Sequence, residues 1–254
     1  MIQIFITLLI LKKVNMAQSL YQFSNHLLLS LPENEYQRWE PEFELVELKL
    51  GEVLYESSEK MQYAHFPINC IVSLLYVLED GSSTEIAVVG NEGLVGIALF
   101  MGGETTPSRA VVQSAGKCIR ISSRFLKSEF TKSLPVMHLL LRYTQALLTQ
   151  MTQTAVCNRH HTLDQQLCRW LLLSIDRLTG NDLVMTQELI ANMLGVRREG
   201  VTEAAGRLQT AGLISYARGK IKVLDRNGLE KRSCECYQVV KSEYDRLLPD
   251  LIAA

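Results

Sequence analysis

The chain has no CxxC pair: its six cysteines, at 70, 118, 157, 168, 234 and 236 of 254 residues, are scattered. That scatter argues against a zinc site and against a disulfide-stapled secreted scaffold, and it fits a reducing cytoplasm. Cys234-Glu235-Cys236 is the one close pair; a CxC is able to bind metal or sense oxidants, but on a polar helical stretch the expectation is two inert thiols. A one-sided charge is also missing, with 26 Lys and Arg against 27 Asp and Glu, so composition alone does not point to nucleic acid. From Cys157 onward the balance is 14 basic to 12 acidic, or +2, leaving −3 for the rest. No nucleophile and base stand at catalytic spacing, so no catalytic residues and no enzyme activity are expected. A membrane span is lacking at the N-terminus: the apolar stretch Ile2 to Leu11 is ten residues long, too short to cross a bilayer. Lys12 and Lys13 follow it instead of preceding it, and no small-residue cleavage site comes after, which makes a poor signal peptide. Met16 opens a soluble-looking segment, and the expectation is that translation starts there, with the residues before it an artefact of an early start.

What is present describes a soluble globular chain, 47 % hydrophobic and 21 % charged, with length for one large or two modest domains. The most informative stretch runs from Thr186 to Leu208. Leu189, Ile190, Met193 and Leu194 give one apolar helical stripe, Gly195 a turn, and Val201, Ala204, Ala205 and Leu208 a second stripe. This reads as a helix-turn-helix, with Arg197, Arg198 and Glu199 at the exposed start of the second helix. An arginine there is able to take both acceptors of a guanine edge, and a glutamate to accept from cytosine. Downstream, Leu213, Ile214 and Tyr216 alternate before Ala217-Arg218-Gly219-Lys220, and Ile221, Val223 and Leu224 after it, which predicts a hairpin with a basic tip.

A helix-turn-helix followed by such a hairpin is a winged helix. Arg198-Glu199 with Val201 behind them, Leu-Ile-Ser at 213–215 and the Gly-Lys hairpin resemble the DNA-binding domain of the Crp/Fnr family of bacterial transcription regulators, and the likeness extends upstream through nearly the whole chain. It implies double-stranded DNA as partner, contacted by Thr186, Gln187, Arg197, Arg198, Glu199, Thr202, Glu203, Arg207, Arg218 and Lys220, with salt-sensitive binding. Glu203 stands where cyclic-AMP-responsive members carry an arginine, which implies a different operator. The family's iron–sulfur sensors carry an N-terminal cysteine cluster, and this chain has no cysteine before Cys70.

From about Phe43 to Phe130 short alternating apolar segments are punctuated by glycines, which predicts a compact antiparallel β-roll. Gly51-Glu52-Val53-Leu54-Tyr55 and the Glu79-Asp80-Gly81 turn resemble the cyclic-nucleotide-binding roll of the same family. A cupin enzyme would need a histidine pair with a carboxylate on such strands to hold a metal; only His65 is there, and no metal is expected. Cyclic-nucleotide binders of the family use a Gly-Glu pair for the ribose and an Arg followed by a small hydroxyl residue for the phosphate. Here Gly96 is followed by Ile97 and Arg109 by Ala110, with Glu104 the only acidic substitute in the loop. An unpaired ribose hydroxyl costs about 1–3 kcal/mol, so the expectation is an unknown effector, or none, and not cyclic AMP.

Between roll and winged helix, Met137, Leu141, Thr144, Leu148, Met151 and Ala155 step by four and three, the seam of a coiled coil. Pro135 suits the first turn of that helix. The family dimerises through it, which implies a homodimer on half-sites one DNA turn apart. His160 and His161 at its end read as a solvated hinge, and Thr162 with Gln165 as a capping box opening a helix from Leu163 to Leu178. A further helical pattern follows Gly228, with no legible role. The fold expected is α+β: an N-terminal extension (1–24), an antiparallel β-roll sensor or double-stranded β-helix (25–132), a long dimerisation helix (133–157), and a winged helix-turn-helix with a helical tail (158–254). The function implied is cytoplasmic, sequence-specific transcription regulation, with RNA polymerase as a partner if the protein activates. The alternative is a cyclic-nucleotide-responsive adaptor acting through protein partners.

Overall fold

A computed structural model describes residues 25–178 and 180–248. The apolar stretch at Ile2–Leu11 and Met16 lie outside the described residues. Two short helices, α1 (His26–Leu29) and α2 (Glu33–Trp39), precede seven strands: β1 (Glu44–Leu48), β2 (Val53–Tyr55), β3 (Tyr63–Pro67), β4 (Ile71–Val77), β5 (Ser83–Val89), β6 (Arg109–Ser114) and β7 (Gly116–Ser122). All pairings are antiparallel, in a four-stranded sheet ordered β2-β6-β4-β5 and a three-stranded one ordered β1-β7-β3. Their inward faces meet around Phe66, Ile71, Leu94, Leu99 and Ile121, all essentially without solvent contact. Strand β3 escaped the sequence reading because four of its five residues are buried, so no alternation marks it.

The sequence region read as roll ends in a helix, α3 (Ser123–Lys132). Ser122 caps it by accepting from the Phe125 N–H at 3.2 Å, and Leu126 and Glu129 are buried on its inner face. Ser133 then caps α4 (Leu134–His160), with Pro135 in its first turn. One face of α4, carrying Leu139, Leu140, Tyr143 and Leu147, is buried. The Tyr143 hydroxyl donates to the Leu94 carbonyl at 2.9 Å, and the Gln150 amide brackets the Val88 backbone, accepting from its N–H at 2.8 Å and donating to its carbonyl at 3.1 Å.

The capping box at Thr162 and Gln165 forms and opens α5 (Leu163–Ile175). This helix stops short of Leu178 because the chain tightens into three-residue bonds, Arg177 N–H to the Ser174 carbonyl and Leu178 N–H to that of Ile175. The remaining elements are β8 (Asp182–Val184), α6 (Gln187–Leu194), α7 (Arg198–Thr210), β9 (Ile214–Ala217), β10 (Lys220–Val223), α8 (Arg226–Arg232) and α9 (Glu235–Leu247). The last sheet is ordered β8-β10-β9, so the expected hairpin gains a third strand. α9 lies back along α4, and α5 and α6 lie against the β4-β5-β6 face of the roll. Among the described residues no helix is long and apolar enough to cross a membrane.

Candidate nucleic-acid interface and effector pocket

Thr186 caps α6 by accepting from the Leu189 N–H at 3.2 Å, and Gly195 ends it with φ 65° and ψ 36°, the left-handed turn that sends the chain into α7. Val201, Ala204, Ala205 and Leu208 are buried on α7, and their small or branched side chains let the two helices pack closely. The opposite face of α7 presents Arg198, Glu199, Thr202 and Glu203 to solvent, with Arg197 just before the first turn. Thr202 shares its hydroxyl proton between the Gln187 side chain at 2.8 Å and the Arg198 carbonyl at 3.0 Å, fixing the start of α6 against the start of α7. The wing tip is a two-residue turn with positive φ at both Arg218 and Gly219, the twist that a tight hairpin needs. Gln209 holds the wing to α7 by accepting from the Tyr216 N–H at 2.6 Å.

These elements converge on an open cleft of ≈ 470 Å³ lined by Thr186, Gln187, Glu188, Arg198, Tyr216, Arg218 and Gly219. Four of the residues expected from the sequence to touch DNA are therefore side by side, and Lys220 is exposed next to the wing tip. Arg207 is placed differently. Its guanidinium forks onto the Asp164 carboxylate at 2.6–3.1 Å, bracing α7 against α5, and this pairing holds the Asp164 carboxyl below its ordinary value. Tyr216 was missed from the sequence as a cleft residue: its ring is half-buried as part of the wing, and its hydroxyl donates to the Met185 carbonyl at 2.8 Å.

In the roll, a cavity of ≈ 180 Å³ lies under the loop after β5, lined among others by Tyr55, Tyr76, Gly96, Ile97, Ser108 and Met151. Gly96 and Ile97 are thus at the pocket, whereas Glu104, Arg109 and Ala110 do not line it. Glu104 is held between Lys127 and Lys60, and the Lys127 hydrogen bond foremost draws its carboxyl down to about 2. Arg109 pairs with Glu56 at 3.1 Å, and Ala110 is buried in β6. The side chains available to a ligand are mostly apolar, with hydroxyls from Tyr55, Tyr76, Thr106 and Ser108.

A family model of the cyclic nucleotide-binding domain matches residues 45–133, and one of the Crp-like helix-turn-helix domain matches residues 165–232. Between them they take in more than half of the chain. The chain belongs to the Crp/Fnr family. It is a DNA-binding transcription regulator of that type, and the family and fold are those of regulators, not enzymes. Similar solved structures include FixK2 of Bradyrhizobium japonicum, 18 % identical over 76 % of this chain and 98 % of that one, with a TM-score of 0.64. TTHB099, a CRP-family transcriptional regulator of Thermus thermophilus, is 18 % identical over 74 % and 96 %, with a TM-score of 0.62. The c-di-GMP-responsive regulator CLP of Xanthomonas campestris is 15 % identical over 76 % and 100 %, with a TM-score of 0.61. At these identities the likeness is one of fold. No curated protein matches this chain in sequence.

Two features of this Crp/Fnr chain lie outside what the sequence showed. The first is a buried polar seam between roll and winged domain. Glu85 on β5 faces Trp170 of α5, whose indole N–H donates to it at 3.1 Å, and Ser73 of β4 at 2.6 Å. Ser73 in turn contacts the side-chain amide oxygen Oε1 of Gln113 at 2.7 Å, and the Gln113 amide N–H donates to Ser174 at 3.4 Å. A serine has one proton to give. Both Ser73 contacts are satisfied when Glu85 is protonated and donates to Ser73, and burial pushes the Glu85 carboxyl up to about 7. The second is at the α4–α5 hinge, where His161 is not solvated: its side chain is 13 % exposed and its ring faces Cys236 at 3.6 Å.

Proposed function

We propose that this regulator acts as a homodimer in the cytoplasm on a palindromic operator, each subunit reading base edges with Arg198 and Glu199 and gripping phosphates with Arg218, Lys220 and Arg197. The observation that carries the reading is the convergence of Thr186, Gln187, Arg198 and Arg218 on one open cleft at the exposed start of α7. Backbone N–H groups at the start of α7 favour an anion there, which suits a phosphate beside the base contacts.

A stripe on α4 supports the dimer. Leu141, Leu148 and Ala155 of the expected seam are exposed, joined by Leu134 and Val156, and Met137 and Met151 are half-buried. Thr144 departs from the expected seam: it is buried within the subunit and donates its hydroxyl to the Leu140 carbonyl at 2.8 Å. The heptad step from Leu134 to Leu141 to Leu148 replaces it as the spine of a two-helix contact.

The roll senses an effector other than cyclic AMP. Its cavity of ≈ 180 Å³ has Ile97 where a ribose acceptor is needed and leaves Arg109 outside. RNA polymerase is a partner if the outcome is activation. The test is selection of bound DNA from a random pool by the purified full-length chain. A two-fold symmetric sequence with half-sites about one helical turn apart, bound more weakly as salt rises, is the expected result. Failure to enrich any sequence, or salt-independent association, sinks the reading.

A further inference from the structure

Four side chains separated by up to 79 positions meet at the α4–α5 hinge. Cys157 lies in the last turn of α4, His161 caps that helix, Cys234 caps α9 and Cys236 is in its first turn. Their ligand atoms all lie within 4.8 Å of one another. The three thiols form a buried cluster separate from the main core, so they are not simply part of its packing. Cys157 and His161 fall on one face because they are four residues apart, and the His161 N–H donates to the Cys157 carbonyl at 3.1 Å.

Two of the separations are close to the edges of a tetrahedral zinc site, and the remaining ones lie within 4.8 Å. Cys157 Sγ is 3.5 Å from Cys234 Sγ, and Cys236 Sγ is 3.6 Å from His161 Nδ1. Zinc with sulfur at about 2.3 Å and nitrogen at about 2.0 Å sets sulfur–sulfur edges of about 3.8 Å and sulfur–nitrogen edges of about 3.5 Å. The surroundings agree independently. The other ring nitrogen of His161, Nε2, is 3.3 Å from the Glu235 carboxylate, the partner a ligating histidine uses to fix its tautomer. Gln166 donates to the His161 carbonyl at 2.9 Å and to the Cys157 carbonyl at 3.3 Å, holding both ligand backbones in place. Arg169 is buried near the thiols, donating to Thr154 at 2.8 Å while its Nε has no hydrogen-bond partner among the described residues. Three thiolates and a neutral imidazole around a divalent ion carry one net negative charge, and this guanidinium balances it.

We propose that Cys157, His161, Cys234 and Cys236 bind one zinc ion per chain in a tetrahedral Cys3His site that fastens α9 to the α4–α5 hinge. Three thiol protons leave to solvent as the ion enters, and the folded hinge is stabilised by the binding free energy.

Metal analysis of the reduced full-length protein, followed by Co2+ titration of the metal-stripped form, tests this. The expected result is one zinc per chain as purified. One Co2+ per chain then produces the visible bands of tetrahedral cobalt and a near-ultraviolet thiolate charge-transfer band. Zinc raises the melting temperature and a chelator reverses the rise. Cys234→Ser and Cys236→Ser each lose most of the charge-transfer intensity, whereas Cys70→Ala, in the roll, keeps it. Because a cluster variant that unfolds would also lose the bands, the titration of the folded wild-type chain stands as the deciding measurement. Absence of saturable Co2+ and Zn2+ uptake by that chain overturns the proposal. So does uptake undiminished in a folded Cys234→Ser/Cys236→Ser double variant, and so does a Cys157–Cys234 disulfide that, once reduced, still leaves the chain unable to take up metal.

Discussion

Arg198 and Arg207 look alike in sequence, both polar positions on the second helix of the motif, yet the fold gives them different tasks. Arg198 opens onto the cleft and is paired with no carboxylate among the described residues, whereas Arg207 is forked onto Asp164. Arg198→Ala is therefore expected to weaken operator binding by about 1–3 kcal/mol and to relax preference at one position of each half-site. Competition binding against single-base operator variants reads this out. An equal loss on every sequence would make Arg198 a phosphate contact only. Much of this site was legible beforehand, because Thr186, Gly195, Arg198 and the Arg218-Gly219 turn each carry a local chemical signal: a cap, a left-handed turn, a donor fork, a tight hairpin. The pairing of Arg207 was not legible because Asp164 lies 43 residues away, and no spacing rule reveals that.

Among the elements, the helices and most strands were readable from their periods, including the three-residue β2 and the largely buried β4, whereas β3 and β8 were not. The α4 stripe and the β9–β10 hairpin have clear periods, whereas β3 is buried on both faces and β8 is three residues long. The capping box at Thr162 foretold where α5 begins, but its end is set by three-residue bonds around Ser174 and Ile175 that leave no sequence mark. On α4, Leu141 and Leu148 are two of the three exposed leucines at heptad spacing, each about half exposed within the subunit. Replacing both by lysine is expected to yield folded monomers that lose palindromic-site binding, because two unpaired ammonium groups on an apolar seam are costly to bury. Circular dichroism should be unchanged while sedimentation shows the halved mass. A double variant that remains dimeric places the interface on another surface.

At the scale of the whole molecule, sensor and winged domain share one continuous core, which gives a packed route between the roll and the helix-turn-helix. Met151 illustrates the route, since it lines the roll cavity and sits on the same helix as the apolar stripe. A ligand that enters must stabilise the state it binds by mass action. Millimolar cyclic AMP is accordingly expected to leave both the melting temperature and DNA affinity unchanged. A saturable rise that Arg109→Ala abolishes would show that Arg109 leaves Glu56 and enters the pocket.

Glu85 gives the junction between the two domains its own pH dependence. In the folded chain its carboxyl is held protonated by burial, against the pull of the Trp170 hydrogen bond and of the Arg169 and Arg177 guanidiniums, and titrates at about 7. In the unfolded chain it loses its proton near the ordinary carboxylate value, so between those two values the unfolded state binds fewer protons. Its contribution is fully present below about pH 4.5 and falls as pH rises towards 7, by about 3 kcal/mol in all. Glu85→Gln keeps a donor for Ser73 and an acceptor for the Trp170 indole while removing the titration. Urea unfolding of both proteins from pH 5 to pH 8 is expected to show the wild type losing stability relative to the variant as pH rises, with most of the divergence complete by about pH 7. Parallel profiles would mean that Glu85 is ionised in the folded chain, with Ser73 donating to it and Gln113 turned to present its amide N–H to Ser73.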